Sequence, residues 1–511
     1  MTTAASFSPQ EIRREIRYLA IPIIVESVFA FSGNIVFIAL LGRIGSVGLS
    51  SISHVAAFGM ASIITGIIWW LLKGLGIGST IRVAQNYGAG DQYGIKKYSF
   101  QALEMMFLVG ILCGLGFYFG ADWLISLYKP EPHLYKLAVE YIRICAFGFP
   151  FLGIMHASTG ILQGIGDTKT PMVFSGILNV VFILTGLPLI FGWIGEPQGV
   201  VGSAYSLVIG QISTAIAGLY VLFFKQKVIS FVDEGAPFLP DLGKMWSIVA
   251  VGLPTSLENM FWQIGAMLIG GIMLGYGEMQ YAANQIGQQA EAIANMPAAS
   301  FGIVTVTLCG RAIGARNKEL GRSYVREIKK TALIIAGLGL ILLMVFPVPL
   351  LSALSNDAEV IDLAAIYLRI SGFLLPFNTI FQVYLGSLKS AGYANYPMYF
   401  AICGIWLIRV PLSYAAASFP DSNIVWLWWV IVADIMSRYF LGLLVYKRKG
   451  IFEEDTQEIN SLIEENKLDS EPLDFIPGAA EDIKDEILTD IANLSEESSS
   501  EEEKTPENGQ I

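Results

Sequence analysis

The chain has 511 residues, of which 54% are hydrophobic and only 15% are charged. Soluble globular proteins carry about 25% charged residues, so this composition excludes an ordinary soluble protein and indicates one that lies in a lipid bilayer. The net charge of −11 comes from the C-terminal end, because residues 453–511 contain 20 acidic residues and 3 lysines and the preceding 452 residues carry +6.

Twelve apolar segments follow one another along the chain, and each is long enough for the roughly 20 residues of a membrane-spanning helix. They lie near 17–40, 50–72, 98–122, 137–160, 172–195, 199–224, 246–274, 281–309, 331–354, 361–387, 397–417 and 424–446. We number them as spans 1 to 12. The sequence therefore predicts an all-α integral membrane protein with twelve transmembrane helices in two parallel six-helix lobes.

Five regions are predicted from these spans. Residues 1–16 form a cytoplasmic, amphipathic N-terminal segment, where Ser8, Pro9 and Glu11 make a helix start with a capping box. Residues 17–224 form the N-lobe, residues 225–245 a cytoplasmic linker, and residues 246–446 the C-lobe. Residues 447–511 are rich in Ser and Glu, which predicts an acidic, disordered cytoplasmic tail.

An internal repeat relates the two lobes. "YIRICAFGFPF" at 141–151 matches "YLRISGFLLPF" at 367–377, an offset of 226 residues, and farther upstream the offset is 232, where Glu26 matches Glu258. Equivalent positions are six spans apart, so the halves have the same orientation. Parallel repeats of this kind are a recurrent plan of secondary transporters, with the substrate site between the halves.

The segment "QGIGDTKTPM" at 163–172 resembles a phosphate-binding loop at first sight. It lacks the spacing of a P-loop, and its repeat partner "KSAGYANYPM" at 389–398 keeps only the glycine and proline. We interpret both segments as helix-breaking turns and expect this one to bind nothing.

Basic residues indicate the orientation. If the N-terminus is cytoplasmic, 21 lysines and arginines lie on the cytoplasmic side and three (Arg43, Lys129 and Lys136) lie outside. The positive-inside rule then predicts that both termini are cytoplasmic, in the plasma (inner) membrane.

Several motifs give the chain a family resemblance. "LQGIGDTKTPM", "NYGAGD", "AIGAR", "LGRIGSVGLSS", "ANQIGQQAEAIANMP" and "IRVPLSY" resemble the motifs of the multidrug and toxic compound extrusion (MATE) transporters, in order over about residues 15–450. The resemblance implies two six-helix lobes around a central cleft. It also implies export of organic cations and other amphipathic compounds by antiport against H⁺ or Na⁺.

The N-lobe departs from the pattern of many family members. The acid that they carry in span 1 is replaced here by Phe37, with Asn34 one helical turn earlier. Some members also have an acid in span 5 after an asparagine like Asn179, and none stands in that part of this span. An amide ligates Na⁺ but does not take up a proton, so N-lobe coupling is an open question.

Ionisable residues inside spans are costly, by about 2.5–3.5 kcal/mol each, and are therefore candidates for function. We expect Glu291 to be the main coupling carboxylate and Glu258 the second, both also candidate Na⁺ ligands, with Glu26 as the repeat partner of Glu258. Asn284 and Gln288 share a predicted polar helix face with Glu291.

His156 stands in the middle of span 4. A lone membrane histidine more often packs between helices than carries a proton, and both readings stay open.

The predicted function is secondary active efflux of a small organic substrate by a protein that contacts membrane lipids, binds no nucleic acid and is a monomer. We expect no enzymatic activity, no resident metal and no cofactor beyond the coupling ion. The alternative is a flippase for lipid-linked oligosaccharide or lipid II, which would need a basic cavity for a diphosphate. The few mid-span arginines argue against it.

Overall fold

The computed structural model describes residues 8–44, 50–193, 195–229 and 239–452, and the described part is helical throughout. The predicted acidic tail from residue 453 onward and the middle of the predicted linker, residues 230–238, lie outside the described residues.

Six long helices form the N-lobe and correspond to predicted spans 1 to 6. They are α1 (Pro9–Gly42), α2 (Ser51–Ala89), α3 (Gln92–Ser126), α4 (Pro132–Gly164), α5 (Lys169–Phe191) and α6 (Val200–Tyr220), the last extended by a π-helical turn, Val221–Lys225.

The C-lobe repeats this order with two breaks. It contains α7 (Leu242–Leu274), α8 (Glu278–Gly314), α9 (Lys318–Val345), the short α10 (Pro347–Ser352), α11 (Ala358–Ser390), α12 (Asn395–Ala401), α13 (Val410–Ala417) and α14 (Ile424–Arg448). A π-helical segment, Ile402–Arg409, joins α12 to α13, so the three pieces together make span 11. Eleven helices of the described part are long and apolar enough to cross a membrane, and α1 supplies the remaining predicted span. The predicted fold class is confirmed.

The turns in the segments 163–172 and 389–398 are equivalent in backbone geometry. Gly166 and Gly392 are the repeat partners in the turns after α4 and α11. Both have a backbone φ of 84°, which residues other than glycine rarely adopt. Pro171 and Pro397 lie in the first turns of the next helices, where a missing N–H costs no hydrogen bond. The interpretation of both segments as turns is confirmed.

Helix α1 begins well before the apolar segment that predicted span 1. Ser8 and Glu11 form the predicted capping box, with the Ser8 N–H donating to Glu11 Oε2 at 2.8 Å. The helix then continues through residue 16 without interruption, and Ile12 and Ile16 are buried in a cluster with Leu308 and other residues of α8 and α9. The start of the N-lobe therefore packs on the C-lobe.

Charged contacts reinforce this packing between the lobes. Arg311 Nη1 on α8 lies 3.0 Å from Glu15 Oε1 on α1, and Tyr324 Oη on α9 donates to Glu15 Oε2 at 2.8 Å. Nearby, Arg13 Nε lies 2.6 Å from Glu327 Oε2. We call the set Arg13, Glu15, Arg311, Tyr324 and Glu327 the interlobe latch.

The lobes are in close backbone contact at the end of the bundle that holds the latch. A side chain at Gly88 of α2 would overlap the backbone of Arg311, and one at Gly314 of α8 would overlap the backbone of Gln85. Such close approach is available only to glycine. Because most of the predicted cytoplasmic lysines and arginines lie at this end, we call it the lysine-rich end, and the structure is closed there.

Candidate functional site

The first candidate carboxylate lies in the N-lobe on α1. Glu26 comes one helical turn after Pro22, which interrupts the helix hydrogen bonding at that level. Its Oε2 accepts a hydrogen bond of 3.3 Å from Gln163 Nε2 at the end of α4, and Gln163 is buried. Lys73 of α2 interacts electrostatically with the same carboxylate.

Sequence reasoning missed Lys73. The predicted span 2 ended at residue 72, whereas α2 continues to Ala89 and so places this lysine near its middle. Lys73 interacts electrostatically with both Glu26 and His156, and its ammonium lies 5.1 Å from the centre of the Trp70 ring. The apolar run "GLGIG" directly after the lysine is the signal that could have extended the span.

His156 belongs to α4, and its side chain lies where α4 packs on α2. It is buried, its ring meets the Trp69 ring edge-on at a centroid distance of 4.8 Å, and its Nε2 has no hydrogen-bond partner among the described residues. A histidine packed in this way next to a lysine is poorly suited to hold a second positive charge. The geometry therefore favours the packing interpretation.

Two asparagines are candidates in the N-lobe: Asn179 contacts α1, and Asn34 belongs to α1. Asn179 Nδ2 donates to the backbone oxygens of Phe29 at 2.9 Å and Ser175 at 3.0 Å, and its Oδ1 lies against Gly33. These contacts join α5 to α1. Asn34 lies on α1, and its side chain is outside the described part of the chain.

The C-lobe counterpart of Glu26 has a different partner. Glu258 on α7 forms an ion pair with Lys389, which is buried at the end of α11, with 2.7 Å between Oε2 and Nζ. Lys389 is the residue that the 226-residue offset places opposite Gln163. The structure thus pairs repeat-related positions in both lobes, as Glu26 with Gln163 and as Glu258 with Lys389.

Glu291 lies between α8 and α11, among hydrogen-bond donors. The Tyr367 hydroxyl donates to its Oε2, and Asn295 Nδ2 approaches its Oε1 at 3.5 Å. Asn378 Nδ2 in turn donates to Asn295 Oδ1 at 3.1 Å. Tyr367, Asn295 and Asn378 were not predicted, although Asn295 lies one helical turn from Glu291 and could have been found by that spacing.

The predicted polar face of α8 is only partly realised. Asn284 is buried and its Oδ1 accepts a 3.2 Å hydrogen bond from Trp428 Nε1 on α14, while the Trp428 and Tyr367 rings meet at 5.4 Å. Asn284 is therefore linked to Glu291 through two aromatic residues. Gln288 is exposed on the same helix and does not join this arrangement.

A buried charge cluster adjoins Glu291. Asp434 of α14 is fully buried, and its Oδ2 lies 2.6 Å from Arg409 Nε and 2.8 Å from Arg438 Nη2. Arg438 lies one helical turn after Asp434 on α14, and Arg409 comes from the π-helical segment. Arg409 also interacts electrostatically with Glu291. Because both arginines share Asp434, they are poorly placed to hold a diphosphate, which argues against the flippase alternative.

Comparison with known proteins gives consistent matches over the described helices. The MatE family model matches residues 22–187 and again residues 254–415, once in each lobe and over more than half of the chain. A probable multidrug resistance protein NorM of Thermotoga maritima is 26% identical over 85% of this chain and 92% of its own length. The multidrug resistance protein PmpM of Pseudomonas aeruginosa is 26% identical over 79% of this chain and 83% of its own.

The fold matches solved structures as well. An outward-facing multidrug resistance MATE family transporter of the MOP superfamily superposes with a TM-score of 0.78 at 20% identity, over 87% of this chain and 97% of the other. At this identity the likeness concerns the fold alone.

Proposed function

The chain belongs to the MatE family of multidrug efflux transporters, and from that membership we propose that it exports small amphipathic or cationic organic compounds by antiport against H⁺ or Na⁺. The observation that carries the proposal is the position of Glu291, a carboxylate inside a lobe that is met by a tyrosine hydroxyl and an asparagine amide.

Charge balance explains how an ion can compete with a cationic substrate at this place. With Glu291 ionised, the two acids Glu291 and Asp434 balance Arg409 and Arg438. When Glu291 takes up a proton, the cluster carries a net charge of +1, which repels a cation nearby. At short range in a low-dielectric interior that repulsion amounts to several kcal/mol. Proton uptake therefore favours substrate release.

Sodium can act at the same carboxylate. Carboxylate and amide oxygens are suitable ligands for a hard cation, and Asn295 lies beside Glu291 with its Nδ2 toward the carboxylate. Its amide would have to turn its oxygen toward a bound ion. Glu258 is less available, because the Lys389 ammonium already neutralises it. We therefore rank Glu291 before Glu258 as the coupling group, and Glu26 after both.

Alternating access would proceed between this closed state and one that is open at the lysine-rich end. The interlobe latch and the close contact of α2 with α8 hold that end shut. Substrate and ion shift the balance of the two states only by their different affinities for them. The latch must open for substrate to enter from the cytoplasm.

We further propose that the protein works as a monomer in the plasma (inner) membrane with both termini in the cytoplasm. The orientation is supported by the 21 to 3 distribution of basic residues.

Efflux from proteoliposomes with independently imposed proton and sodium gradients tests the function. We expect one of the two gradients, directed opposite to substrate movement, to drive export of a fluorescent organic cation such as ethidium. Transport that neither gradient accelerates, in vesicles proven to hold both gradients, would contradict antiport.

A further inference from the structure

A cavity of about 650 Å³ opens at the lysine-rich end of the N-lobe. It lies between the turn that joins α4 to α5 and the ends of α1, α2, α3 and α6. Its described lining includes four lysines, Lys96, Lys169, Lys225 and Lys227, and a single acid, Asp167.

Asp167 caps the start of α5, and its single charge balances at most one of the four lysines in the described lining. Its Oδ1 accepts hydrogen bonds of 3.0 Å from the backbone N–H groups of Lys169 and Thr170. Its Oδ2 accepts from the Thr170 hydroxyl at 2.5 Å and from the Gln226 amide. The last contact also holds the end of α6 against the turn, so two walls of the cavity are fixed to each other. The cavity keeps a surplus of positive charge.

The surface next to the cavity is apolar. Ile21 on α1 and Val173 on α5 each follow a lining residue by three positions and are 60% and 51% exposed. Phe224, in the π-helical turn after α6, directly precedes Lys225 and is 65% exposed. These side chains belong to three of the elements that line the cavity. A basic cavity above an exposed apolar surface fits a ligand with an anionic head and apolar chains.

We propose that this cavity binds the phosphate headgroup of an anionic phospholipid, with its acyl chains on Ile21, Val173 and Phe224. The proposal revises our expectation that the segment at 163–172 binds nothing. The C-lobe does not repeat this basic set in full, since the position equivalent to Lys169 in the matching turn is Asn395. The repeat comparison therefore concealed the site, because the lysine in the turn itself is not repeated.

Native mass spectrometry of the full-length protein in detergent tests the proposal without depending on transport. The probes are phosphatidylglycerol, phosphatidylcholine with the same acyl chains, and inorganic phosphate. The variant is K225Q/K227Q, whose positions are exposed. The control is K447Q/R448Q, which removes two exposed charges at the end of α14.

We expect the wild-type protein and the control to retain phosphatidylglycerol in preference to phosphatidylcholine. In K225Q/K227Q the affinity for phosphatidylglycerol should fall about thirtyfold, as two lost headgroup contacts imply. Equal retention by both variants would overturn the proposal. So would displacement of the lipid by millimolar inorganic phosphate, which would identify a site for soluble phosphate. Thermal unfolding of each variant checks that it is folded.

Discussion

At the scale of single residues, each lobe holds a carboxylate in the same position, but the partner of that carboxylate differs in charge between the lobes. Glu26 and Glu258 occupy equivalent positions, and each meets the residue at the equivalent end of the fourth span of its lobe. That residue is an amide in the N-lobe and an ammonium in the C-lobe, so only the C-lobe carboxylate has a full counter-ion at hydrogen-bond distance. Duplication thus preserved the contact while the electrostatics diverged.

Replacing Lys389 tests this difference. We expect Lys389→Met to destabilise the protein by about 3 kcal/mol, because it removes the ammonium that lies 2.7 Å from the mostly buried Glu258 carboxylate and leaves it the more weakly placed Arg438. Lys389→Gln should cost clearly less, since it recreates the Glu–Gln pair that the N-lobe already contains. Thermal unfolding in detergent measures both, and equal losses for the two variants would contradict the argument.

Glu291 is the residue on which coupling depends in our scheme. Glu291→Gln keeps the size and hydrogen-bonding capacity of the side chain and removes its charge and its proton uptake, so we expect gradient-driven efflux to fall to background. Glu278→Gln, at an exposed position in the first turn of the same helix, should leave efflux unchanged. Efflux assays on membranes with matched protein levels decide, and normal efflux by Glu291→Gln would remove this residue from the mechanism.

The sequence allowed the carboxylates to be predicted but not their partners. Glu291 stands out because an acid in an apolar segment is costly, and such an acid can be recognised from the sequence alone. Its donor Tyr367 lies 76 residues away on another helix, and only the packing of α8 on α11 brings the two together. Lys73 was missed for a simpler reason, since the length assumed for a span was too short for a helix of 39 residues.

At the scale of elements, α1 shows how a helix can serve both lobes. The sequence boundary at residue 16 followed the change from charged to apolar residues, which hydropathy detects. Hydropathy does not reveal that Ile12 and Ile16 pack on α8 and α9, or that Glu15 meets Arg311. The first two turns of α1 are therefore part of the contact that closes the lysine-rich end.

Weakening the latch should favour the state that is open at this end. In Glu15→Gln the partly exposed pair with Arg311 is lost, and we expect a change of about 1 kcal/mol, or roughly fivefold in the ratio of open to closed molecules. A cysteine at position 81, where Ile81 is buried between the lobes, reports opening through its rate of maleimide labelling in a background without the native cysteines. The rate should rise about fivefold.

The control for this measurement is Glu319→Gln, which removes an exposed acid from the first turn of α9. It should leave the labelling rate of the same cysteine unchanged. If Glu15→Gln also labels at the original rate, the latch does not contribute to closure.

At the scale of the whole molecule, the repeat carried most of the prediction. The twelve spans follow from the apolar segments, and the like orientation of the halves follows from matches such as Gly166 with Gly392, because a turn that must adopt positive φ constrains the sequence strongly. The π-helical break in span 11 did not follow, since its counterpart α5 is a single helix. That break places Arg409 beside Asp434, so the departure from symmetry coincides with the charge cluster near Glu291.

The end of the folded body can be located to a few residues, and truncation tests it. Phe452 is 3% exposed, its ring packs against Gly321, and its carbonyl oxygen accepts a 2.8 Å hydrogen bond from Arg322 Nε on α9. A chain that ends at residue 454 keeps these contacts, so we expect its efflux to equal that of the full-length protein. A chain that ends at residue 449 loses them, and the loss of one buried phenylalanine should destabilise it by about 3 kcal/mol.

Efflux and thermal unfolding of the two truncations separate the roles of the acidic segment and of the residues before it. Loss of transport by the longer chain, with unchanged thermal stability, would mean that residues 455–511 take part in transport. Wild-type stability of the shorter chain would mean that Phe452 does not help to hold α9. With both results as expected, the transport unit ends at the residues that pack on α9, and the charge of −17 that follows residue 452 lies outside it.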